Sequence, residues 1–222
     1  MLMARKKEDA EFICEYEIKD HKIMTMEEVK RERVIAAALK EFNRGYHLAN
    51  IDEIVKEAGI SKGLIFHYFG SKRGLFLFLL KYSGEVINNE YSKVILSSRD
   101  FLENMTEVSK LAMEMIFQYP IMFGFVVKAV FVLNEVFPEG LPKDIPNSNK
   151  IFLQQVLTKS DKSLFRDDID KGKAQNIVVW TMNGFCESLI QYGDELENYK
   201  ANYDMKEEFE EYVELLRKLL YK

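Results

Sequence analysis

The sequence predicts an all-α protein, and three observations support that prediction. Its 222 residues include only four prolines and eleven glycines, fewer than a chain rich in strands or loops usually needs. Apolar residues recur at helical spacing, whereas the alternation typical of a strand is found only weakly, from Cys14 to Ile18. Apolar residues make up 47% of the chain and charged residues 30%, which is the balance of a globular protein with a sizeable core.

The first helix is predicted to begin at Thr25 and to end at Gly45. Thr25 and Glu28 have the T-x-x-E spacing of a capping box, in which two side chains satisfy the first unpaired backbone N–H groups of a helix. Gly45 can adopt the left-handed conformation that commonly follows the end of a helix. Between these ends, apolar residues recur at i, i+3, i+4 and i+7, at Ile35, Ala38, Leu39 and Phe42.

Two short helices are predicted next. Asn50 and Glu53 repeat the capping pattern before a helix of about two turns that stops at Gly59. Ser61 then caps a third helix, which runs to about Phe69. Short helices joined by a turn that contains glycine are typical of a helix-turn-helix motif, whose second helix enters the major groove of DNA. A generic helical bundle with a tight corner is the alternative on geometry alone.

Charge is distributed unevenly along the chain. The formal charge of −5 argues against nucleic acid as a partner, yet residues 29–82 contain ten basic and five acidic residues. No Asp or Glu occurs between Glu57 and Glu85, a window that contains Lys62, Lys72, Arg73 and Lys81. A local basic patch on an acidic chain can bind the phosphate backbone while the rest of the protein is repelled from it.

The segment from Arg33 to Phe76, about a fifth of the chain, resembles the DNA-binding region of the tetracycline-repressor (TetR-type) family of bacterial regulators. The resemblance rests on IDEIVKEAGISKGLIFHYFGSKRGLF, and most specifically on AGISKGLIFHYFGSK from Ala58 to Lys72. It implies a ligand-responsive transcriptional regulator that binds a pseudopalindromic DNA operator as a homodimer. Most members of the family repress transcription and are released from DNA by a small-molecule effector.

The sequence departs from the family's pattern at three places. Asn50 and Ile51 stand where two threonines are usual, so that the asparagine can still contact phosphate but the isoleucine cannot. Phe66 stands where a tyrosine is frequent, so a hydroxyl group is missing. Two residues, where three are more usual, separate Phe42 from Gly45. These departures keep one alternative open, a helical small-molecule-binding or protein-interaction module with vestigial DNA binding.

The resemblance also implies a division into domains. Residues 25–72 are expected to form the DNA-binding domain, with three helices, and residues 73–222 a larger helical domain for effector binding and dimerisation. Residues 1–24 are an extension of unknown role: an extra helix, a flexible tail, or a segment upstream of a true start at Met24 or Met26.

Nine residues are predicted to contact DNA. The start of the third helix should meet base edges in the major groove, through Ser61, Lys62, Gly63 and Leu64. Lys62 can donate to guanine O6 or N7, Gly63 allows close approach of the backbone, and Leu64 either touches a thymine methyl group or packs in the domain. The phosphate backbone should be contacted by Asn50, Phe66, His67, Tyr68 and Lys72.

The rest of the chain predicts long helices separated by short breaks. The fourth helix starts after Gly70 and Ser71, and further helices are predicted over residues 100–119, 121–137, 151–158, 170–193 and 205–221, with a loop over 138–147. The segment 121–137 is apolar nearly all round, so we expect it to be buried. Asp170 is expected to cap the helix that follows it.

The resemblance implies that Gln175–Tyr192 and Phe209–Leu220 form the dimer face. Aromatic and methionine side chains of the C-terminal part could line an effector pocket, and the candidates are Met113, Phe117, Phe131, Trp180 and Asn183. Each of them could equally fill the core. An aromatic content of 13% favours an apolar or amphipathic effector over a sugar or phosphate.

Several classes of protein are disfavoured by composition and motifs. Cys14 and Cys186 lie far apart without CxxC or CxH spacing, which indicates neither a disulfide framework nor a zinc site. No stretch approaches the about 18–20 apolar residues of a membrane span, and the charged N-terminus lacks the apolar core of a signal peptide. Enzyme motifs such as G-x-S-x-G, H-E-x-x-H and the P-loop are absent. We therefore expect a cytoplasmic protein that is not an enzyme and uses no metal or cofactor.

Overall fold

The computed structural model describes residues 21–142, 148–191 and 205–222. These ranges contain ten α-helices and no named strand, which confirms the all-α prediction. The α-helices are α1 (Glu28–Phe42), α2 (Ile51–Ala58), α3 (Lys62–Phe69), α4 (Lys72–Ser92), α5 (Phe101–Gln118), α6 (Pro120–Val130), α7 (Leu133–Val136), α8 (Ser148–Lys159), α9 (Lys171–Gln191) and α10 (Met205–Leu220). The alternating segment from Cys14 to Ile18 lies outside the described residues.

The described residues fold as two compact units, the first up to residue 89 and over 121–142, the second over 90–120 and from residue 148 onward. The predicted functional boundaries, 25–72 and 73–222, differ from the boundaries of these units and stay a prediction. Among the described helices, none alone is long and apolar enough to cross a membrane, and only the sequential pair α5 and α6, sharply bent at the break between them, meets the length and composition of a span.

The start of the first helix differs from the prediction. Thr25 closes a short 3-10 helix, Lys22–Thr25, and its hydroxyl donates to the carbonyl oxygen of Lys22 at 2.9 Å. Helix α1 therefore begins at Glu28 after Glu27, which makes no side-chain capping bond. The predicted capping box is wrong because Thr25 belongs to the preceding 3-10 turn and the N-cap position of α1 falls on Glu27. Residues 21–24 of the predicted extension belong to this turn, and residues 1–20 lie outside the described part.

The core of the first unit is built from the predicted apolar faces. The α1 face is buried as expected, and so are Ile65 and Phe69, which anchor α3 to the domain. An aromatic cluster joins this layer to later helices, with Phe42, Phe76 and Phe125 rings 5.3–6.3 Å apart. Burial of such rings is the main stabilising contribution in a small helical domain, since helices of eight residues are not stable alone.

Two glycines shape the joints of this unit. Gly59, in the predicted turn between α2 and α3, has φ 67° and ψ 40°, a left-handed conformation that glycine adopts readily. Gly74 lies in the first turn of α4, where a Cβ atom would lie 1.9 Å from the carbonyl oxygen of Phe69. The ends of α3 and α4 can therefore approach each other this closely only because residue 74 has no side chain.

The segment 121–137 departs from the predicted single buried helix. It forms α6 and the short α7, separated by a turn at residues 131 and 132. Met122, Phe123, Phe125 and Ala129 are buried as expected. Val130 and Phe131, however, are 62% and 84% exposed, because the helix ends there and turns their side chains outward.

The second unit is held by packing of α8, α9 and α10 against α5. Asp100 caps α5, accepting from the backbone N–H groups of Leu102 and Glu103 at 2.8 and 3.2 Å. The chain end is tied to the same carboxylate, since the Tyr221 hydroxyl and the Arg217 guanidinium donate to it at 2.7 and 2.8 Å.

The N-cap predicted at Asp170 is confirmed. Its Oδ1 atom accepts from the backbone N–H groups of Gly172 and Lys173 at 2.9 and 3.0 Å, and α9 begins at Lys171. A carboxylate at this position also interacts favourably with the positive end of the helix dipole.

Candidate nucleic-acid interface

The N-terminal turn of α3 projects from the first unit while the rest of the helix is anchored. Ser61, Lys62 and Gly63 are exposed, and Leu64 is half-buried. The helix is held from below by the buried side chains of Ile65 and Phe69. Ser61 occupies the N-cap position as predicted but makes no side-chain capping bond. This combination of an anchored helix and an exposed first turn is what insertion into a groove requires.

Lys62 does not stand alone at this surface. Its ammonium nitrogen lies 2.8 Å from Oδ1 and 3.0 Å from Oδ2 of Asp52, an exposed residue in the first turn of α2. The sequence pattern does not indicate Asp52 as a partner of Lys62, because the two residues are ten apart and belong to different helices. The packing of α2 against α3 brings the N-terminal ends of these helices together.

Asn50 positions the start of α2 through two hydrogen bonds. Its side-chain oxygen accepts from the backbone N–H of Asp52 at 2.8 Å, which confirms the predicted N-cap. The backbone N–H of Asn50 donates to Oε2 of Glu41 at 2.9 Å, so Glu41 takes the reciprocal role predicted for Glu53. Burial alone would raise the pKa of the Glu41 carboxyl, but this amide and the Arg44 guanidinium outweigh burial and lower it.

The second half of α3 presents aromatic rings. Phe66 is 42% exposed, His67 is exposed and Tyr68 is half-buried. The rings of His67 and Tyr68 meet edge to face, with centroids 5.1 Å apart. The Lys22 ammonium donates to the carbonyl oxygen of His67 at 2.7 Å, placing a cation at the C-terminal end of the helix, where the dipole favours it.

Lys72 starts α4 beside the loop that follows α1. Its ammonium nitrogen lies 5.0 Å from the centroid of the Tyr46 ring and donates to the His47 carbonyl oxygen at 3.4 Å. Burial lowers the pKa of Lys72, although the carboxylate of Glu41 acts in the opposite direction. The hydroxyl of Ser71 accepts from the backbone N–H of Gly74 at 3.0 Å and so caps α4. These contacts fix Lys72 at a helix start, and its phosphate contact stays a prediction.

The basic window is less positive in the fold than in the sequence. Arg73 pairs with Glu139 and lies over the Phe137 ring at 4.6 Å. Lys62 likewise forms an ion pair with Asp52. Both acidic partners come from outside the stretch between Glu57 and Glu85, so the fold supplies counter-charges that the linear pattern does not show.

The predicted effector-pocket residues are not brought together as one lining. Met113 is buried and Phe117 half-buried, both on α5. Phe131 and Trp180 are 84% and 70% exposed and Asn183 is exposed as well, so these three side chains do not fill the core, and their role in an effector pocket stays a prediction. The side chains of Trp180 and Asn183 lie on the outer face of α9, away from the buried face that contains Val178 and Met182. A separate groove of about 480 Å³ follows α5, and its lining includes none of the five predicted residues.

Two observations on the described residues concern metal-ligating groups and a cysteine thiol. Among those residues, no group of three or more His, Cys, Asp or Glu side chains is placed to hold a metal ion. Burial raises the pKa of the Cys186 thiol to about 12, so the sulfur is protonated at neutral pH and a poor nucleophile.

Comparison with known proteins places these features in a family. Residues 34–79 match the family described as bacterial regulatory proteins, tetR family. The uncharacterized HTH-type transcriptional regulator YdgC of Bacillus subtilis (strain 168) is 30% identical over 172 residues, which cover 73% of this chain and 82% of that protein. The HTH-type transcriptional regulator BetI of Yersinia pestis (strain Pestoides F) is 37% identical over 67 residues, 28% of this chain and 34% of the relative.

A solved structure supports the same assignment at the level of the fold. The crystal structure of a TetR family transcriptional regulator from Chloroflexus aurantiacus J-10-FL superposes with a TM-score of 0.67 at 19% identity, covering 90% of this chain and 97% of that one. The helix-turn-helix geometry, the family match and the extended similarity to the Bacillus relative agree. This chain belongs to the TetR family of helix-turn-helix transcriptional regulators.

Proposed function

We propose that this protein binds a pseudopalindromic DNA operator as a homodimer, represses transcription there, and is released by a small apolar or amphipathic effector. The observation that carries the proposal is the first turn of α3, which is exposed at Lys62 and Gly63 while Ile65 and Phe69 anchor the helix below. A regulator of this kind works where the DNA is, in the cytoplasm, and needs no catalytic group. The match of residues 34–79 to the family does not favour a binding module with vestigial DNA contacts.

Two classes of DNA contact follow from the positions of the side chains. Ser61, Lys62 and Gly63 face outward at the start of α3 and are proposed to meet base edges, with half-buried Leu64 beside them. The phosphate backbone is proposed to be contacted from the flanks, by Asn50, Phe66, His67, Tyr68 and Lys72. Because Phe66 has no hydroxyl, it can contribute only apolar contact with the sugars.

Dimerisation is supported by an apolar face on the last two helices. Ile177 and Trp180 on α9 are exposed, and so are Tyr212, Leu215 and Leu219 on α10. Residues 212, 215 and 219 share one side of α10 because they are three and four positions apart. Exposed apolar side chains gathered in this way commonly mark an association surface. We therefore assign Trp180 to the dimer face, within the ranges Gln175–Tyr192 and Phe209–Leu220. Residue 192 lies outside the described part.

Effector binding is proposed for the second unit. Methionine and aromatic side chains, among them Met113 and Phe117, supply the adaptable apolar surroundings that such a ligand requires. Differential affinity of the effector for the DNA-free state would shift the population away from the operator.

The proposal is tested by salt-titrated binding of Lys62→Ala and Lys72→Ala to duplexes selected from a random pool by the wild-type protein. We expect Lys62→Ala to weaken binding and relax sequence preference, since a good base contact discriminates by about 1–3 kcal/mol. Lys72→Ala should weaken all duplexes alike and reduce the salt slope by about 0.9 for each lost phosphate contact. Lys56→Ala, an exposed lysine paired with Glu53, is the control. Identical behaviour of the Lys62 and Lys72 variants would contradict the division of roles.

A further inference from the structure

The carboxylate of Asp52 lies against the one lysine of the recognition helix. The sequence of α3, KGLIFHYF, contains no Asp, Glu or Arg. Its lysine ammonium contacts both oxygens of Asp52, at 2.8 and 3.0 Å. Both side chains are solvent-exposed, 51% for Lys62 and 63% for Asp52, so the pair lies on the surface and is not part of the core.

We propose that Asp52 is a specificity-determining residue of this regulator, because it holds the Lys62 ammonium away from phosphates and limits it to a base edge. This inference rests on the DNA-binding role proposed above. Asp52 acts through Lys62 and is therefore a positioning residue.

The contact geometry of the ammonium supports this role. A lysine ammonium has three N–H donors, and one of them donates to Oδ2 of Asp52 at 3.0 Å, while Oδ1 lies 2.8 Å from the nitrogen. The other donors are left for DNA, and the carboxylate restricts the directions in which they can point. A lysine without such a partner swings freely on its four-carbon stem and meets phosphate oxygens without regard to sequence.

The charge balance acts in the same direction. The Lys62–Asp52 pair has no net charge, so the tip of the recognition helix gains little from the phosphates of a random duplex. A carboxylate at this surface is repelled by phosphates, which penalises every register in which Lys62 finds no base acceptor to compensate. The backbone of Asp52 is held in place by the N-cap, since its N–H donates to the side-chain oxygen of Asn50 at 2.8 Å.

The test compares Asp52→Asn with wild type on two fluorescently labelled duplexes, one selected by the wild-type protein and one of the same composition with shuffled sequence. Asparagine keeps the size of the side chain and the backbone bond to Asn50. The matched control is Glu53→Gln, which removes the same charge from the next position of α2. In the wild-type protein the Glu53 carboxylate pairs with Lys56. Unfolding curves of both variants check that the fold is unchanged.

We expect Asp52→Asn to bind the shuffled duplex about tenfold more tightly than the wild-type protein does at 0.1 M salt. The slope of log affinity against log salt concentration should be steeper by about 0.9 per released lysine. The ratio of affinities for the selected and shuffled duplexes should fall about tenfold. Glu53→Gln should change that ratio less than twofold. In a Lys62→Ala background, Asp52→Asn should also change it less than twofold, because the residue through which Asp52 acts is gone.

Three results would overturn the inference. The ratio of affinities for the selected and shuffled duplexes could be the same in Asp52→Asn as in the wild type, or it could fall equally in Glu53→Gln. The third result is that Asp52→Asn lowers this ratio just as much in the Lys62→Ala background. Each of these leaves the proposed DNA binding of the wild-type protein intact. If the wild-type protein itself binds selected and shuffled duplexes equally, the proposed function fails, and this is seen before any variant is made.

Discussion

Replacing Gly74 with alanine should separate the recognition helix from the helix that supports it. A Cβ atom built on residue 74 lies 1.9 Å from the carbonyl oxygen and 3.1 Å from the carbonyl carbon of Phe69. Both are backbone atoms, so no flexible side chain can move aside. A carbon and an oxygen normally come no closer than about 3.3 Å, so the two helix ends would have to move apart by more than about 1 Å.

The sign of the effect is decided by two opposing contributions. Alanine is the better helix former, which would stabilise the variant by about 0.5–1 kcal/mol. Overpacking against rigid atoms costs about 1–3 kcal/mol or more, and here the atoms are backbone. We expect the free energy of unfolding to fall by about 1–2 kcal/mol, and because Phe69 ends α3, operator binding should fall with it.

Urea unfolding followed by circular dichroism measures this change. Gly63→Ala is the matched control, since a Cβ atom on residue 63 meets only the Ser61 hydroxyl oxygen, at 4.0 Å. Gly63→Ala should unfold at the wild-type urea concentration or above it. A Gly74→Ala variant as stable as Gly63→Ala would contradict the close approach of α3 and α4.

Three further predictions concern other parts of the chain. Gly63→Ala should weaken operator binding about tenfold with no loss of stability, because its Cβ atom fills the space where the backbone approaches DNA; wild-type affinity in a fluorescence anisotropy titration would refute this role. Leu215→Glu on α10 should yield a 26.0 kDa monomer by light scattering, whereas the wild-type protein and the control Lys206→Glu should give twice that mass. If Leu215→Glu is still a dimer, the assignment of α10 to the dimer interface is incorrect. Burial alone would raise the pKa of Asp100, but hydrogen bonds donated by Tyr221 and Arg217 lower it below its ordinary value. The ionised carboxylate therefore stabilises the fold at pH values above the unfolded-state pKa of about 3.9. This stabilisation is lost as the pH falls through the lower pKa of the folded state. Asp100→Asn should therefore cost about 1 kcal/mol at pH 7 and approach wild-type stability in acid; a gap in the free energy of unfolding that is constant with pH would refute the assignment.

Local features of the sequence predicted the framework of the fold. The apolar spacing in α1, the end of α2 at Gly59 and the N-cap at Asp170 are all set by residues within a few positions of one another. The Thr25 capping box failed although it is local too. Thr25 lies in a 3-10 turn and Glu27 occupies the N-cap position, and a spacing rule cannot tell at which of several neighbouring residues a helix begins.

Contacts between distant residues were beyond the reach of the pattern. Glu41 takes the backbone N–H of Asn50 from nine positions away, and Glu139 pairs with Arg73 across 66 positions. Trp180 was named as a candidate for the lining of an effector pocket, yet its side chain lies on the exposed face of α9. The exposure of Trp180 is explained by the proposed dimer face, to which the exposed apolar residues of α10 also belong.

Operator binding by a dimer is tested most directly by selecting duplexes from a random pool with the wild-type protein and then titrating the protein with the best duplex and with a single half-site. We expect enrichment of an inverted repeat whose half-sites lie about one helical turn, roughly 34 Å, apart. One dimer should bind each duplex, and binding to the half-site should be much weaker. Recovery of sequences without a shared inverted repeat, bound no more tightly than the starting pool, would contradict operator binding by a dimer.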